Sequence, residues 1–367
     1  MATTRFEGAP GWSELGRDGA RSVRSIALVL VAAVLFGTTG TTQTFAPEAA
    51  TPLGVGAVRT AIGGTLMALV GLAGYHRRRA RRRIGPAAPV GAPPTQPTAP
   101  QNTPPTSRTT SPSVTRPGPD PTPRDSGLPR PGLGVLPPPR FPIPTWLALG
   151  LAAAGMAAYQ LTFFAGTRAN GVAIGTIVTL GSAPLAAGLL EWLVRRRRPG
   201  RAWLIATALA VVGVVLLSGG SGTVNLGGLA QSATAGVSYA LELVLMKIVL
   251  DRGWTSSDAV SWVMGLAAVL AVPILLAADV SWVATPRGAT VALWLAVATV
   301  VVAYQLLAHG LGGLPAATVS TLTLAEPATA TLLGLVVVGE RLTLAGVGGI
   351  VAIAGGLIVL ARTARRG

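Results

Sequence analysis

The sequence predicts an all-α membrane protein with ten transmembrane helices arranged as two inverted five-helix repeats. Three observations predict it. Apolar runs of spanning length recur along the chain, basic residues gather at alternate ends of those runs, and the second half of the sequence repeats the first. Half of the 367 residues are hydrophobic, 11% are charged, and mean hydropathy is +0.57. That is the composition of a membrane protein, not of a soluble domain.

A helix needs roughly 20 apolar residues to cross a bilayer. In chain order the runs are 26–46, 54–75, 143–164, 171–194 and 202–218, then 226–249, 259–278, 289–309, 315–338 and 342–361. The polar stretch 1–25 offers no small-residue cleavage site before a polar mature domain. It is therefore expected to be a cytoplasmic tail, with the first run retained as a span. Residues 26–75 hold the first two helices, 143–219 complete the first repeat, 226–361 form the second, and 362–367 are a second tail.

Orientation follows from the basic residues. With the N-terminus in the cytoplasm, 25 of the 29 lysines and arginines fall inside. Arg168, Arg287 and Arg341 fall outside, and Arg59 lies within a span. The positive-inside rule selects this topology, with both termini cytoplasmic in the plasma membrane. The same distribution explains the formal charge of +16 without nucleic acid. Lysine appears once, at Lys247, among abundant arginine, alanine, proline and glycine, the coding bias of a GC-rich bacterium. Residues 76–142 hold 19 of the 29 prolines among Ser, Thr and Gly, with no periodic apolar face. They read as a disordered, Pro/Arg-rich cytoplasmic linker opening on Arg77–Arg79 and Arg81–Arg83.

The repeat is explicit. Ala158-Tyr159-Gln160-Leu161 returns as Ala303-Tyr304-Gln305-Leu306. Residues 171–218 lie on 314–361 at a constant offset of 143, which sets Pro184 on Pro327, Gly213 on Gly356 and Arg196–Arg198 on Gly339–Arg341. Five spans is an odd number, so the halves enter the membrane from opposite sides. Inverted repeats of this kind characterise many secondary transporters, with the solute site near the midplane between the halves.

The run Leu324-Ala325-Glu326-Pro327, then Leu332-Leu333-Gly334, Gly339-Glu340-Arg341-Leu342 and a Gly-rich last span resembles the EamA-type branch of the drug/metabolite transporter superfamily. Phe36-Gly37-Thr38 and Arg59 resemble that branch's opening pattern, with Phe36 in place of the usual Trp. The resemblance spans all ten helices and leaves out the tails and the insert 76–142. It implies ten helices in two inverted halves, and carriage of small metabolites, commonly the export of amino acids or related compounds. The expected partners are a small-molecule substrate, the lipid bilayer and protons. No cofactor is implied, and the sequence assigns no oligomeric state.

Glu326 is the leading site residue. An acid at mid-depth costs about 2.5–3.5 kcal/mol on insertion scales and is kept where it faces protein or a water-filled path. It either carries a proton or mends the backbone gap opened by Pro327. Arg59 is placed to bind a carboxylate bidentately, to snorkel outward or to pair with Glu48. Tyr159, Gln160, Tyr304 and Gln305 offer neutral donors and acceptors at mid-helix, for a polar solute or for interhelical bonds. Gln43, beside Thr38, Thr39, Thr41 and Thr42, and Tyr239 join the expected substrate-binding set. Glu242 is a second candidate for proton coupling, and Lys247 and Asp251 are spaced to pair on one helix face.

Glu340 and Arg341 read as a local pair in a turn. Trp192, Trp203, Trp254, Trp262, Trp282 and Trp294 read as an aromatic belt at span ends. Gly348, Gly349, Gly355 and Gly356 read as close-packing sites; no Walker-type loop precedes a helix. With no cysteine, thiol nucleophiles and thiolate metal sites are excluded. A membrane-embedded lipid-phosphate enzyme needs converging His, Asp or Ser groups, whereas His76 and His309 stand far apart. No catalytic or metal-binding residue is therefore predicted. The alternatives kept open are an importer or facilitator of the same fold and, behind them, a channel.

Overall fold

The structure is a computed structural model that describes residues 12–83, 143–196, 199–217, 225–339 and 343–364. Ten helices account for nearly all of them. They are α1 (Trp12–Thr44) and α2 (Pro52–Arg83), α3 (Thr145–Gly171) and α4 (Ile174–Val194), and α5 (Arg201–Leu217). The second half holds α6 (Leu226–Asp251) and α7 (Ser256–Ala277), α8 (Pro286–Gly312) and α9 (Ala316–Val337), and α10 (Leu344–Ala364). Among the described residues 9 helices are long and apolar enough to cross a membrane, and α5 is a shorter apolar helix of 17 residues. Each of the ten predicted spans is met by a helix.

Helix ends follow the local chemistry. Asn225 caps α6 by accepting from the Gly228 amide at 3.0 Å, and Thr255 and Thr285 cap α7 and α8 in the same way. α3 gives way to α4 at a kink on Gly171, the last residue of α3, which sits at φ 80° and ψ 159°, a conformation that glycine adopts without a Cβ clash. After α7, the Ser281 amide donates to Asp279 at 2.9 Å, and this bond holds the exposed carboxyl below the usual carboxylate range.

Packing respects the repeat. α1 lies against α8 and α9. Its counterpart α6 lies against α3, where Gly155 faces the Ser238 carbonyl, and against α4, where Thr179 donates to the Ser232 carbonyl at 3.0 Å. α2 pairs with α7, and α5 with α10. Exchanging the halves maps each principal contact onto itself or its mate. The α5–α10 seam is backbone on backbone: a Cβ on Gly213 would stand 2.6 Å from the Gly349 carbonyl, and one on Gly356 the same distance from the Ala206 carbonyl. Two of the four predicted packing glycines, Gly349 and Gly356, thus form the seam; Gly348 makes ordinary contact and Gly355 meets nothing.

The offset of 143 reappears in the backbone. Arg196 ends α4 in the left-handed conformation at φ 55°, and its register mate Gly339 ends α9 at φ 77°. A non-glycine residue there costs about 1–2 kcal/mol, and Arg196 is the one non-glycine residue with positive φ among those described.

Several expectations change. α2 continues to Arg83, so the arginine blocks at 77–83 sit on a helix and not at the start of an irregular linker. Residues 84–142, Arg197, Arg198, Glu340 and Arg341 lie outside the described residues. The aromatic belt is incomplete. Trp192, Trp254, Trp262 and Trp294 are exposed as expected, but Trp203 and Trp282 are buried. Trp203 turns inward because its indole N–H donates to the Ala317 carbonyl at 3.1 Å. Trp282 packs in an apolar cluster with Val55, Val58 and Leu295. The Lys247–Asp251 pair forms as spaced, at 3.1 Å.

Candidate functional site

Pro327 breaks α9 at mid-depth. Its ring has no N–H and clashes with the carbonyl four residues back, here that of Thr323. The helix runs Ala316–Leu322, opens at Thr323 and Leu324, and resumes at Ala325–Leu333. The Thr323 carbonyl accepts instead from the Glu326 amide at 2.9 Å. The main chain of Glu326 therefore takes up the carbonyl that the proline frees.

That side chain is half-buried beside a cation. The charge of Arg59, from α2, acts on Glu326 and on the hydroxyls of Tyr159 and Tyr304. The Arg59 side chain enters the protein interior. Its Nε is buried without a hydrogen-bond partner among the described residues. α1 reaches the same level: a Cβ on Gly37 would stand 2.8 Å from the Glu326 carbonyl and 2.7 Å from Thr329 Cβ. Glycine at that position is what lets α1 and the broken α9 touch.

Three tyrosines complete this cluster of polar groups, which is the chamber only in the sense that helices of both halves surround it. The Tyr159 ring lies 5.8 Å from Tyr239 and stacks on Phe163 at 5.7 Å. Tyr304 meets Phe36 edge-on at 5.2 Å, and its hydroxyl donates to Met156 Sδ at 3.3 Å. The Tyr239 hydroxyl lies near Thr323, beside the helix break. Glu242 lies three residues on from Tyr239 along α6. It is fully buried, and neither carboxyl oxygen has a hydrogen-bond partner among the described residues. Its charge acts on all three tyrosines. Arg59, Tyr159, Tyr239, Glu242, Tyr304 and Glu326 thus converge from both halves.

The repeated Tyr-Gln pair divides its labour. The tyrosines face the chamber, whereas the glutamines tie neighbouring helices. Gln160 donates to Thr60 Oγ1 at 2.8 Å, joining α3 to α2, and Gln305 accepts from Ser257 at 3.1 Å, joining α8 to α7. These two ties are mates under the repeat. The void beside Gln160 and Thr60 is about 10 Å³, which is room for a water molecule at most. Gln160 and Gln305 are therefore tie residues in this conformation. Gln43 is also set apart: it stands seven residues beyond Phe36 on α1, about 10 Å along the axis.

The arginine-rich end of the bundle is tied together by polar side chains, of which sequence reasoning passed over Glu191, Thr207 and Thr321. Glu191, buried near the end of α4, accepts from the Ala316 amide at 2.9 Å and the Ala317 amide at 3.2 Å. An acid at a helix N-terminus satisfies orphan donors and complements the dipole. Trp203 holds the Ala317 carbonyl, the hydroxyls of Thr207 and Thr321 meet at 2.9 Å, and Lys247 donates to the Gly312 carbonyl at 3.0 Å. The signal for Glu191 was a lone carboxylate inside an apolar run, the same signal that singled out Glu326. At the far end, Asn170 and Asn225 join α3 to α6 through bonds of 3.0 Å and 2.6 Å, and Arg287 donates to the Phe45 carbonyl at 2.6 Å. Among the described residues no group of three or more His, Cys, Asp or Glu is placed to hold a metal ion.

Comparison with known proteins agrees with this architecture. The EamA-like transporter family matches residues 226–362, the whole of the second repeat. The uncharacterized transporter YwfM of Bacillus subtilis (strain 168) is 33% identical over 341 residues, covering 92% of this chain and 94% of its own length. A solved crystal structure that is 18% identical in sequence superposes with a TM-score of 0.64, over 93% of this chain and 98% of that one, and shows the same fold. A relative this similar over nearly its full length, together with the match across the second repeat, places the chain in the EamA-like transporter family.

Proposed function

We propose that this chain is a secondary active transporter of the plasma membrane that exports a small polar or amphipathic metabolite, such as an amino acid, by alternating access coupled to protons. The observation that carries the reading is the polar cluster inside the bundle, where a cation, two acids and three tyrosines meet between the halves. Repeat-built carriers hold their solute at such a place. Arg59 offers a bidentate fork to a carboxylate, Glu326 and the tyrosine rings suit an ammonium group, and Glu242 and Glu326 carry the coupling protons. The arginine-rich end is the cytoplasmic one and both termini lie there, as the positive-inside rule requires.

Counterflow in proteoliposomes, screened over amino acids, nucleosides and amines, tests this function. The expected result is saturable uptake of a zwitterionic solute, stimulated by the same solute on the opposite side and driven by an imposed pH gradient. Flux that never saturates points to a channel, and flux indifferent to pH points to a facilitator. A reporter fused at residue 110 is expected in the cytoplasm, and an external signal there overturns the orientation.

A further inference from the structure

We propose that the outer surface of α4 and α5 carries a binding site for one anionic phospholipid of the arginine-rich leaflet. A cleft of about 430 Å³ opens there between the two helices, outside the chamber and facing the bilayer. Leu185, Leu189 and Leu204 form its exposed apolar rim. Its floor is Gly188, which lies so close to the Trp203 ring that a Cβ would stand 2.6 Å from it. Trp192 closes one side. In hydrocarbon such a cleft is filled by an acyl chain or by another protein.

Charge decides between them. The cleft ends at Pro199, in the turn that joins α4 to α5. That turn holds five arginines between 195 and 201, of which Arg196 and Arg201 are described and exposed. A second copy of this chain would set Arg196 and Arg201 against like charges, whereas a phosphodiester headgroup neutralises them. Arg196 is fixed relative to the cleft, because its amide donates to the Trp192 carbonyl at 2.8 Å.

The repeat supplies a control. At the offset of 143, Trp192 and Trp203 correspond to Leu335 and Gly346, and Arg196 corresponds to Gly339. The shared scaffold therefore does not require the aromatic walls or the charge at the mouth. They belong to one half and to one leaflet.

Native mass spectrometry of the purified full chain tests the site, after incubation with phosphatidylglycerol or phosphatidylcholine of matched acyl chains. The wild type is expected to retain one phosphatidylglycerol about tenfold more tightly than phosphatidylcholine. The double variant Arg196→Gln/Arg201→Gln is expected to lose that preference but keep the weaker binding. Leu204→Trp, which fills the cleft from its exposed rim, is expected to lower retention of both lipids. Thermal unfolding of each variant verifies the fold, since all three positions are exposed. Equal retention of the two lipids by the wild type overturns the proposal. So does a preference that survives both variants, or a dimer that Leu204→Trp dissociates.

Discussion

The two halves of α9 are made of similar residues and are packed differently. From Ala316 to Ala325 every residue but Thr318 is buried; from Glu326 to Val337 only Gly334 is. The boundary is the proline break. Before it, α9 is pinned at its start by Glu191, along its side by Trp203 and Thr207, and nearby by the Lys247 bond to Gly312. After it, the helix loosens into a π-helical stretch, Gly334–Val338, where the hydrogen-bond ladder is wider. One helix thus carries a fixed segment and a compliant one, with the chamber at their junction.

Glu191→Ala tests the fixed segment most severely. It leaves two buried amides without an acceptor, and a loss of about 3 kcal/mol is expected, read as a lower unfolding temperature in detergent. Labelling of a cysteine introduced at Thr318 is expected to rise in the same variant; unchanged stability and labelling would show that the two ends of α9 are equally held. Gly37→Leu forces a side chain between α1 and the compliant segment at Thr329, and overpacking of this kind costs about 2 kcal/mol. A neutral outcome would mean that α9 yields there without penalty. Thr321→Val is expected to cost about 1 kcal/mol by orphaning the Thr207 hydroxyl, since Thr321 itself donates to the Ala317 carbonyl, while the double variant Thr207→Val/Thr321→Val recovers most of it. Failure to recover would show that the hydroxyl pair is not a closed unit. Glu326→Gln is the smallest change: stability is expected to shift by less than about 0.5 kcal/mol, while proton-driven flux is lost. A retained pH profile would remove Glu326 from coupling.

Much of the fold was legible because its causes are local or periodic. Ten apolar runs, their alternating basic ends and the constant offset between Pro184 and Pro327 need no knowledge of packing. The chamber was legible in part. Glu326, Arg59 and the tyrosines are polar groups where the surrounding sequence is apolar, and such groups face protein. Which polar group faces the chamber and which ties two helices was not legible. Tyr159 and Gln160 are adjacent, but one helical step of about 100° turns one toward the solute path and the other toward Thr60. Trp203 and Trp282 escaped the belt rule for a related reason: depth along a helix can be read from sequence, but azimuth depends on the neighbour. Glu191 went unnoticed beside Trp192, although it is the acid with the most fully defined partners in the bundle.

Arg196 and Gly339 are one joint of a duplicated ancestor, seen twice. Glycine is the residue its backbone asks for, and arginine is one it tolerates. The copy that carries the less comfortable residue carries a charge with it. The joint therefore marks where two interchangeable segments became distinct, and a chimera that exchanged them would test whether a few residues at a helix end decide the direction in which an entire half is threaded into the membrane.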